Sequence, residues 1–290
     1  MRYGFIRQQM KAYPITVLCR VMEVSRSGFY DYLHRSNKRS GDSPYEAALK
    51  TRVQIIFKQH RGKYGSRRIN KQLKDEDHQI GRYKVRRLMR ELGLKAKAPR
   101  RYKVTTDSQH TFSVAPNVLN RNFDVDQPNK VWTADITYVW TLEGWLYLAV
   151  IIDLFSRQII GWSMDKQMKK QLTLGALAMA YWRRKPPAGL VHHSDRGSQY
   201  ACDEYRKRLQ QYGMVASMSR KGDCWDNAPT ERVIGSLKSE RLSDYRFNTR
   251  RLAELEVLDY IGYYNSIRLH STLGYKSPMI YEKELRRKAA

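Results

Sequence analysis

The sequence predicts an α/β protein whose sheet-bearing core is preceded by small, basic, all-α modules. Three observations carry this reading. Between residues 131 and 219, five short stretches have the alternating or unbroken apolar character of strands, with turns or amphipathic runs between them. Before residue 95, apolar residues recur at the three- and four-residue spacing of helices. Basic residues crowd that first part: residues 1–110 carry 27 Lys/Arg and 9 Asp/Glu, and residues 111–290 carry 27 and 19.

In the run 14–34, Leu18, Val21 and Met22 define one apolar face, and Ser25 is placed to cap a second helix bearing Phe29, Tyr30 and Leu33. Two short helices about a tight turn predict a helix-turn-helix over 1–40, with Arg26 at the head of the second helix as a DNA contact. A helical hairpin of no DNA-binding role has the same pattern. After the polar run 36–44, a helix over 44–60 carries Leu49, Val53, Ile56 and Phe57 as a core stripe. Ser66 is a candidate cap for a helix over 67–74, which begins with Arg67 and Arg68. The run from Arg82 buries Val85, Leu88, Met89 and Leu92 and leaves Arg82, Arg86, Arg87 and Arg90 largely off that stripe. The segment 44–98 therefore reads as a second DNA-binding module; the plainer alternative is a solvated charged face. Residues 99–128 form a basic connector.

The core, 129–242, opens with strands over 131–140, 145–154 and 158–164, followed by a helix over 169–184. Leu190 and Val191 start a short strand that delivers Asp195 at its end. A polar helix over 200–211 stops at Gly213, and 215–219 is the last strand. The run 221–227 is too polar and glycine-containing for a regular element and predicts a mobile loop, with Asp226 or Asn227 capping the helix that carries Glu231. A helical extension over 243–290 has a helix near 249–263 bearing Leu252, Leu255, Val257 and Ile261; Arg268, His270 and Lys276 beyond it either dock on the core or meet DNA. The last residues, 285–290, are expected to fray.

Asp135 lies in the first strand, Asp195 ends the fourth, and Glu231 follows Asp195 after 35 intervening residues. Three carboxylates on separate elements suit a hard divalent cation, which takes oxygen ligands. Two such ions about 4 Å apart serve phosphoryl transfer, activating the attacking oxygen and stabilising the leaving one. Lys238 stands seven residues after Glu231, nearly two helical turns, so both share one helix face and Lys238 can hold a phosphate or pair with a nearby acid. Asp153 is a rival third ligand, with pairing to Arg157 as the alternative. His192 and His193 point to opposite faces of a strand, one into the core and one flanking the site. Trp225 either stacks on an unpaired base or anchors its loop.

The motifs WTADITY (132–138), GWLYLAVIIDLFSRQIIGWSM (144–164), HSDRGSQY (193–200), SMSRKGDCWDNAPTE (217–231), LKSE (237–240) and YNSIRLHSTLGYKSP (264–278) stand in one order. Together with the carboxylate spacing they resemble the DDE transposases, specifically the second-reading-frame transposase of the insertion-sequence-three family, over nearly the whole chain. Val233 and Ile234 stand where the family often has two aromatics. The resemblance implies an RNase H-like, retroviral-integrase-like core with a mixed five-stranded sheet and flanking helices. It implies a DNA transposase that frees a 3′-OH at an element end and joins it to another phosphodiester. Asp135, Asp195 and Glu231 would hold two Mg2+ ions, with Mn2+ as a substitute, and Lys238 would hold terminal DNA. It further implies double-stranded DNA as partner, a homodimer or higher oligomer in the synapse, and an upstream-frame protein joined by frameshifting. Rival readings are an RNase H-like nuclease that only hydrolyses and a DNA-binding regulator with an inert core.

A net charge of +26 and a pI near 10 favour a polyanionic partner. No apolar run reaches the ~18 residues of a membrane span, and the start has no uninterrupted apolar segment of a secretory signal. Three unpaired-looking cysteines suggest neither a disulfide framework nor a zinc knuckle, so a bacterial cytosol is expected.

Overall fold

The computed structural model describes residues 2–38, 43–96 and 112–289. The chain divides into two units after Lys95.

The first unit is all-helical: α1 (Arg2–Gln9), α2 (Ile15–Val21), α3 (Arg26–Lys38), α4 (Pro44–Gln59), α5 (Ser66–Asp75) and α6 (Arg82–Glu91). Helix α1, which apolar spacing did not announce, supplies Ile6 to a small core with Leu18, Cys19 and Phe29. The expected apolar face of α2 is corrected here: Val21 is 70% exposed and Cys19 takes the buried place. Tyr30 likewise faces outward. Ser25 caps α3 as expected, its Oγ accepting from the Gly28 amide at 3.1 Å. Helix α4 is capped by Ser43 and buries Leu49, Val53 and Ile56. Gly65, not Ser66, is the cap residue of α5, because Ser66 already has helical geometry.

The second unit holds a five-stranded sheet of β1 (Val131–Thr141), β2 (Gly144–Asp153), β3 (Ile159–Asp165), β4 (Val191–Ser194) and β5 (Val215–Met218) in the order β3-β2-β1-β4-β5. β1 pairs antiparallel with β2 and parallel with β4, so the longest strand is central and the sheet is mixed. Alternation along β1 sends Trp132 and Ala134 into a core with α7 (Lys170–Arg184) and α9 (Asp203–Gln211). Val139 goes to the other face, into a core with α10 (Ala228–Glu240) and α11 (Arg250–Ser266). The polar helix expected over 200–211 is two helices, α8 (Ser198–Ala201) and α9, broken at Cys202, whose backbone is extended. At Gly161 on β3 a Cβ would lie 2.4 Å from the Ala176 carbonyl oxygen and 2.8 Å from the Ala180 Cβ, so glycine lets α7 lie against the sheet.

Helix α12 (Pro278–Ala289) runs through the terminal residues expected to fray. Arg268 is buried, donating from Nε and Nη2 to the Glu240 carboxylate at 2.8 and 2.7 Å, and His270 is buried beside it. Lys276 pairs with Glu284. Arg268 thus ties the extension to α10, whereas the Lys276 pair lies within the extension.

Candidate active site

Parallel pairing places Thr133 opposite His193. Two residues further along each chain stand Asp135 and Asp195, so the register brings both aspartates to neighbouring positions, on strands about 4.8 Å apart. β4 ends at Ser194, which leaves Asp195 at a strand terminus and the rest of β1 without a partner on that side.

Helix α10 is fastened to the same spot. The Thr133 and Thr230 hydroxyls lie 2.6 Å apart, and Asn227 Nδ2 donates to the Ala134 carbonyl at 3.0 Å. Thr133 and Asp135 share a strand face, and Glu231 follows Thr230, so Glu231 is carried to the Asp135 face. All three carboxylates are partly buried. Burial and the charge of Asp195 push the Asp135 carboxyl well above the usual range; Glu231 adds to this, while the Ile136 amide and Lys238 oppose it. Burial and then Asp195 raise Glu231. Asp135 keeps some exposed surface, yet enough protein surrounds it for desolvation to dominate. Lys238 is half-buried, and its pKa falls through burial against the pull of Asp135. Its Nζ sits 4.9 Å from the Tyr138 ring centroid. The four groups named from the sequence therefore act on one another electrostatically.

Among the described residues, no three His, Cys, Asp or Glu side chains stand close enough to hold an ion as they are. The donor chemistry still fits a hard cation: the converging groups are carboxylates, and the neighbouring imidazoles are engaged elsewhere. His192 Nε2 meets the Tyr205 hydroxyl at 3.1 Å, and His193 meets Ser217 at 2.8 Å and Ser219 at 3.2 Å. Both are buried in the core, which corrects the expectation that one flanks the site; burial pulls their pKa values down to about 3 and about 4.

Asp153 is committed to structure. Its carboxylate accepts from the Asn129 and Phe155 amides and from Arg184 Nη2 at 3.1 Å. Arg184, not the expected Arg157, is the ion-pair partner; Arg157 instead donates to the Phe123 carbonyl.

The segment before α10 is anchored rather than loose. Residues 224–227 form a 3-10 turn, and the buried Asp226 accepts from Arg220, Arg121 and Asn117. Neither Asp226 nor Asn227 caps α10 by its side chain; Asn227 Oδ1 takes the Thr230 hydroxyl at 2.8 Å instead. Trp225 is 69% exposed and so is no packing anchor.

Sequence reasoning missed two neighbours of the aspartates. Gly197 donates its amide to Asp195 Oδ1 at 3.0 Å, and a Cβ there would sit 3.0 Å from that oxygen. The Tyr200 hydroxyl is buried near both aspartates and has no hydrogen-bond partner among the described residues. The first is signalled only by a glycine two residues after an aspartate, the second by nothing in the pattern.

The basic candidates of the first unit divide by partner. Arg26, Arg67, Arg82, Arg86 and Arg90 are exposed. Arg68 lies 5.1 Å over the Tyr64 ring, and Arg87 is ion-paired with Glu46 and Glu91. Tyr83, 87% exposed among the α6 arginines, was not singled out from the sequence.

A central mixed sheet presenting paired aspartates, with a glutamate on a helix fastened across them, defines an integrase-type core. The comparisons agree: an integrase core domain family matches residues 125–224, a second integrase core domain family matches 212–278, and an HTH-like domain family matches 44–102. The chain is 44% identical over 276 residues to the insertion element IS600 uncharacterized 31 kDa protein of Shigella sonnei, covering 94% of this chain and all of that one. It is 38% identical over 285 residues to the transposase InsF for insertion sequence IS3A of Escherichia coli K12, covering 98% and 99%. Among solved structures, the HTLV-2 integrase catalytic core in complex with magnesium aligns with a TM-score of 0.43 at 21% identity, over 53% of this chain and 95% of that one. A simian T-cell lymphotropic virus intasome aligns with a TM-score of 0.48 at 15% identity, over 80% and 74%. The chain belongs to the IS3 family of insertion-sequence transposases. No described helix is long and apolar enough to cross a membrane.

Proposed function

We propose that this transposase cleaves at the ends of its element to free a 3′-OH and joins that end to a second phosphodiester by direct attack, with Asp135, Asp195 and Glu231 as the metal-holding set. The observation that carries this is the convergence of the three carboxylates with Lys238 at the open edge of β1. Two Mg2+ ions, or Mn2+, held by these carboxylates would polarise the phosphodiester and lower the pKa of the attacking hydroxyl. Carboxylates that raise one another's pKa are a high-energy arrangement when ionised, and a divalent cation relieves it.

The remaining roles belong to the chain's own groups. Lys238, on the face of α10 that carries Glu231, holds a terminal phosphate as a point charge. The Gly197 amide orients Asp195, and the Ile136 amide holds Asp135 Oδ1. The 3′-OH is itself the nucleophile, so no serine or tyrosine ester forms. Trp225, exposed ahead of Glu231, is a candidate stacking surface for the DNA end.

For the helical unit we propose two modules, 1–40 and 44–98, joined through 99–128 to a core at 129–242 and an extension at 243–290. Arg26, Arg67, Arg68, Arg82, Arg86 and Arg90 are proposed to contact double-stranded DNA; Arg87 contributes only if its pairs with Glu46 and Glu91 open. At least two protomers act in a synapse in the bacterial cytosol, with an upstream-frame product as a further partner.

The test is a joining assay with labelled element-end DNA and Mg2+. Wild type should produce joined products, and Asp135→Asn, Asp195→Asn and Glu231→Gln should each abolish them while leaving end binding intact. Joining at wild-type level by any of the three removes that residue from the site. Hydrolysis without joining by wild type would favour the nuclease reading, and binding without chemistry the regulator.

A further inference from the structure

The β1–β2 hairpin projects beyond the carboxylates and carries aromatic residues that the proposed chemistry leaves unused. The register pairs Tyr138 with Tyr147 and Trp140 with Trp145, so all four rings share one sheet face. Trp145 meets Tyr138 edge-on with centroids 4.9 Å apart and meets Trp140 edge-on at 4.7 Å. The series begins at Lys238, whose ammonium lies 4.9 Å over Tyr138, and ends at the hairpin tip. Trp140 is 56% exposed, Trp145 41% and Leu142, at the turn, 70%. Indole rings in water at these fractions are a cost to the isolated fold unless something covers them.

The hairpin is held rigidly. Arg250 donates from Nε to the Trp145 carbonyl at 3.0 Å and from Nη2 to the Glu143 carbonyl. The Leu142 amide donates to the Phe247 carbonyl at 2.9 Å. Gly144 turns the chain at φ +102°, a conformation that favours glycine. The Glu143 carboxylate accepts from the Arg250 amide at 2.8 Å, at the N-terminus of α11. Bridging of Thr141 to Phe247 brings exposed Arg246 and Tyr245 alongside the tip. Flat π-faces, cations beside them and direct continuity with Lys238 match a nucleic-acid strand better than an aliphatic protein surface, because bases stack on indole and phosphates seek the cations.

We propose that Tyr138, Trp145 and Trp140 form a stacking platform for unpaired bases of the DNA end whose terminal phosphate lies at Lys238. This rests on the proposed function: an end opened at the carboxylates exposes bases that must go somewhere, and the hairpin rings, on the sheet face opposite Asp135, reach the site through Lys238, which lies over Tyr138. A second copy of the chain is the competing occupant.

The experiment uses the full chain and two duplexes of the element-end sequence, one blunt and one with a short unpaired end carrying 2-aminopurine. Wild type should bind the unpaired end more tightly and quench its fluorescence. Trp140→Ala and Trp145→Ala should each lose about five- to hundredfold of that preference, the loss of one base stack, while blunt-end affinity holds. Trp140→Phe should retain most of it. Both tryptophans are partly exposed, so unchanged melting temperatures confirm intact folds. Equal preference in wild type and the Ala variants overturns the platform, as does a change confined to sedimentation, which would assign the patch to a protomer contact. The same preparations are assayed for joining. If wild type joins DNA and the preference is unmoved, only the platform fails; if wild type does not join, the proposed function and the platform fall together.

Discussion

Replacing Asp135 by asparagine should stabilise the metal-free protein. Asp135 and Asp195 stand at neighbouring positions on adjacent strands, and the charges of Asp195 and Glu231 both act on Asp135. Two like charges about 5–7 Å apart at an effective dielectric of about 20 repel by about 2–3 kcal/mol. The attraction of Lys238 for Asp135 offsets part of this, leaving a net gain of about 1–2 kcal/mol for the neutral, same-shaped side chain. In a unit of this size that corresponds to about 2–8 °C in melting temperature. Thermal unfolding at pH 7.5 in EDTA reads it directly. The sign reverses the usual carboxylate case. A folded pKa above the unfolded value means stability is fullest where the group is protonated and is lost as pH rises through the unfolded value towards the folded one. The advantage of Asp135→Asn should therefore shrink towards pH 4. Adding Mg2+ should raise the melting temperature of wild type and leave the variant nearly unmoved. A variant that melts below wild type in EDTA, or that gains equally from Mg2+, refutes the reasoning.

Three further outcomes follow from other parts of the core. His192 and His193 are held neutral in the fold, at about 3 and about 4. The unfolded chain binds protons that the fold refuses, so stability should fall as pH drops from about 6.5 towards 4, by up to about 1.4 kcal/mol per unit for each histidine, in urea unfolding. Gly161→Ala forces a Cβ against the Ala176 carbonyl and Ala180, and should cost about 1–3 kcal/mol by the same measurement. Tyr200→Phe removes a buried hydroxyl that has no partner among the described residues, so melting temperature should hold or rise, by up to about 1 kcal/mol of stability; a clear loss would reveal a bond to that hydroxyl.

The sheet and its carboxylates were legible because alternation and apolar runs determine which face a strand residue takes; Asp135 stands within the first strand, Asp195 just past the end of the fourth, and Glu231 in the first turn of its helix. Pairings between distant segments were not legible. Asp153 could be given a local partner, Arg157, but only folding reveals that α7 brings Arg184 to it. Asp226 looked like a helix cap because it stands two residues before α10; its real partners include Arg121 and Asn117, more than a hundred residues earlier. Adjacent histidines on a strand do face opposite ways, but both faces of this sheet are covered, so both are buried. Helix α1 escaped notice because it buries a single residue, Ile6, which gains its core from α2 and α3.

The central claim is that one carboxylate site joins DNA by direct attack of a 3′-OH, with no bond to the protein. The most direct measurement uses the full chain, Mg2+ and a target phosphorothioate of known handedness at the joining position. A single in-line displacement should invert the configuration at phosphorus in the joined product, and Asp195→Asn should yield no product. Retention of configuration would mean two displacements through a covalent protein–DNA intermediate, and would contradict the account.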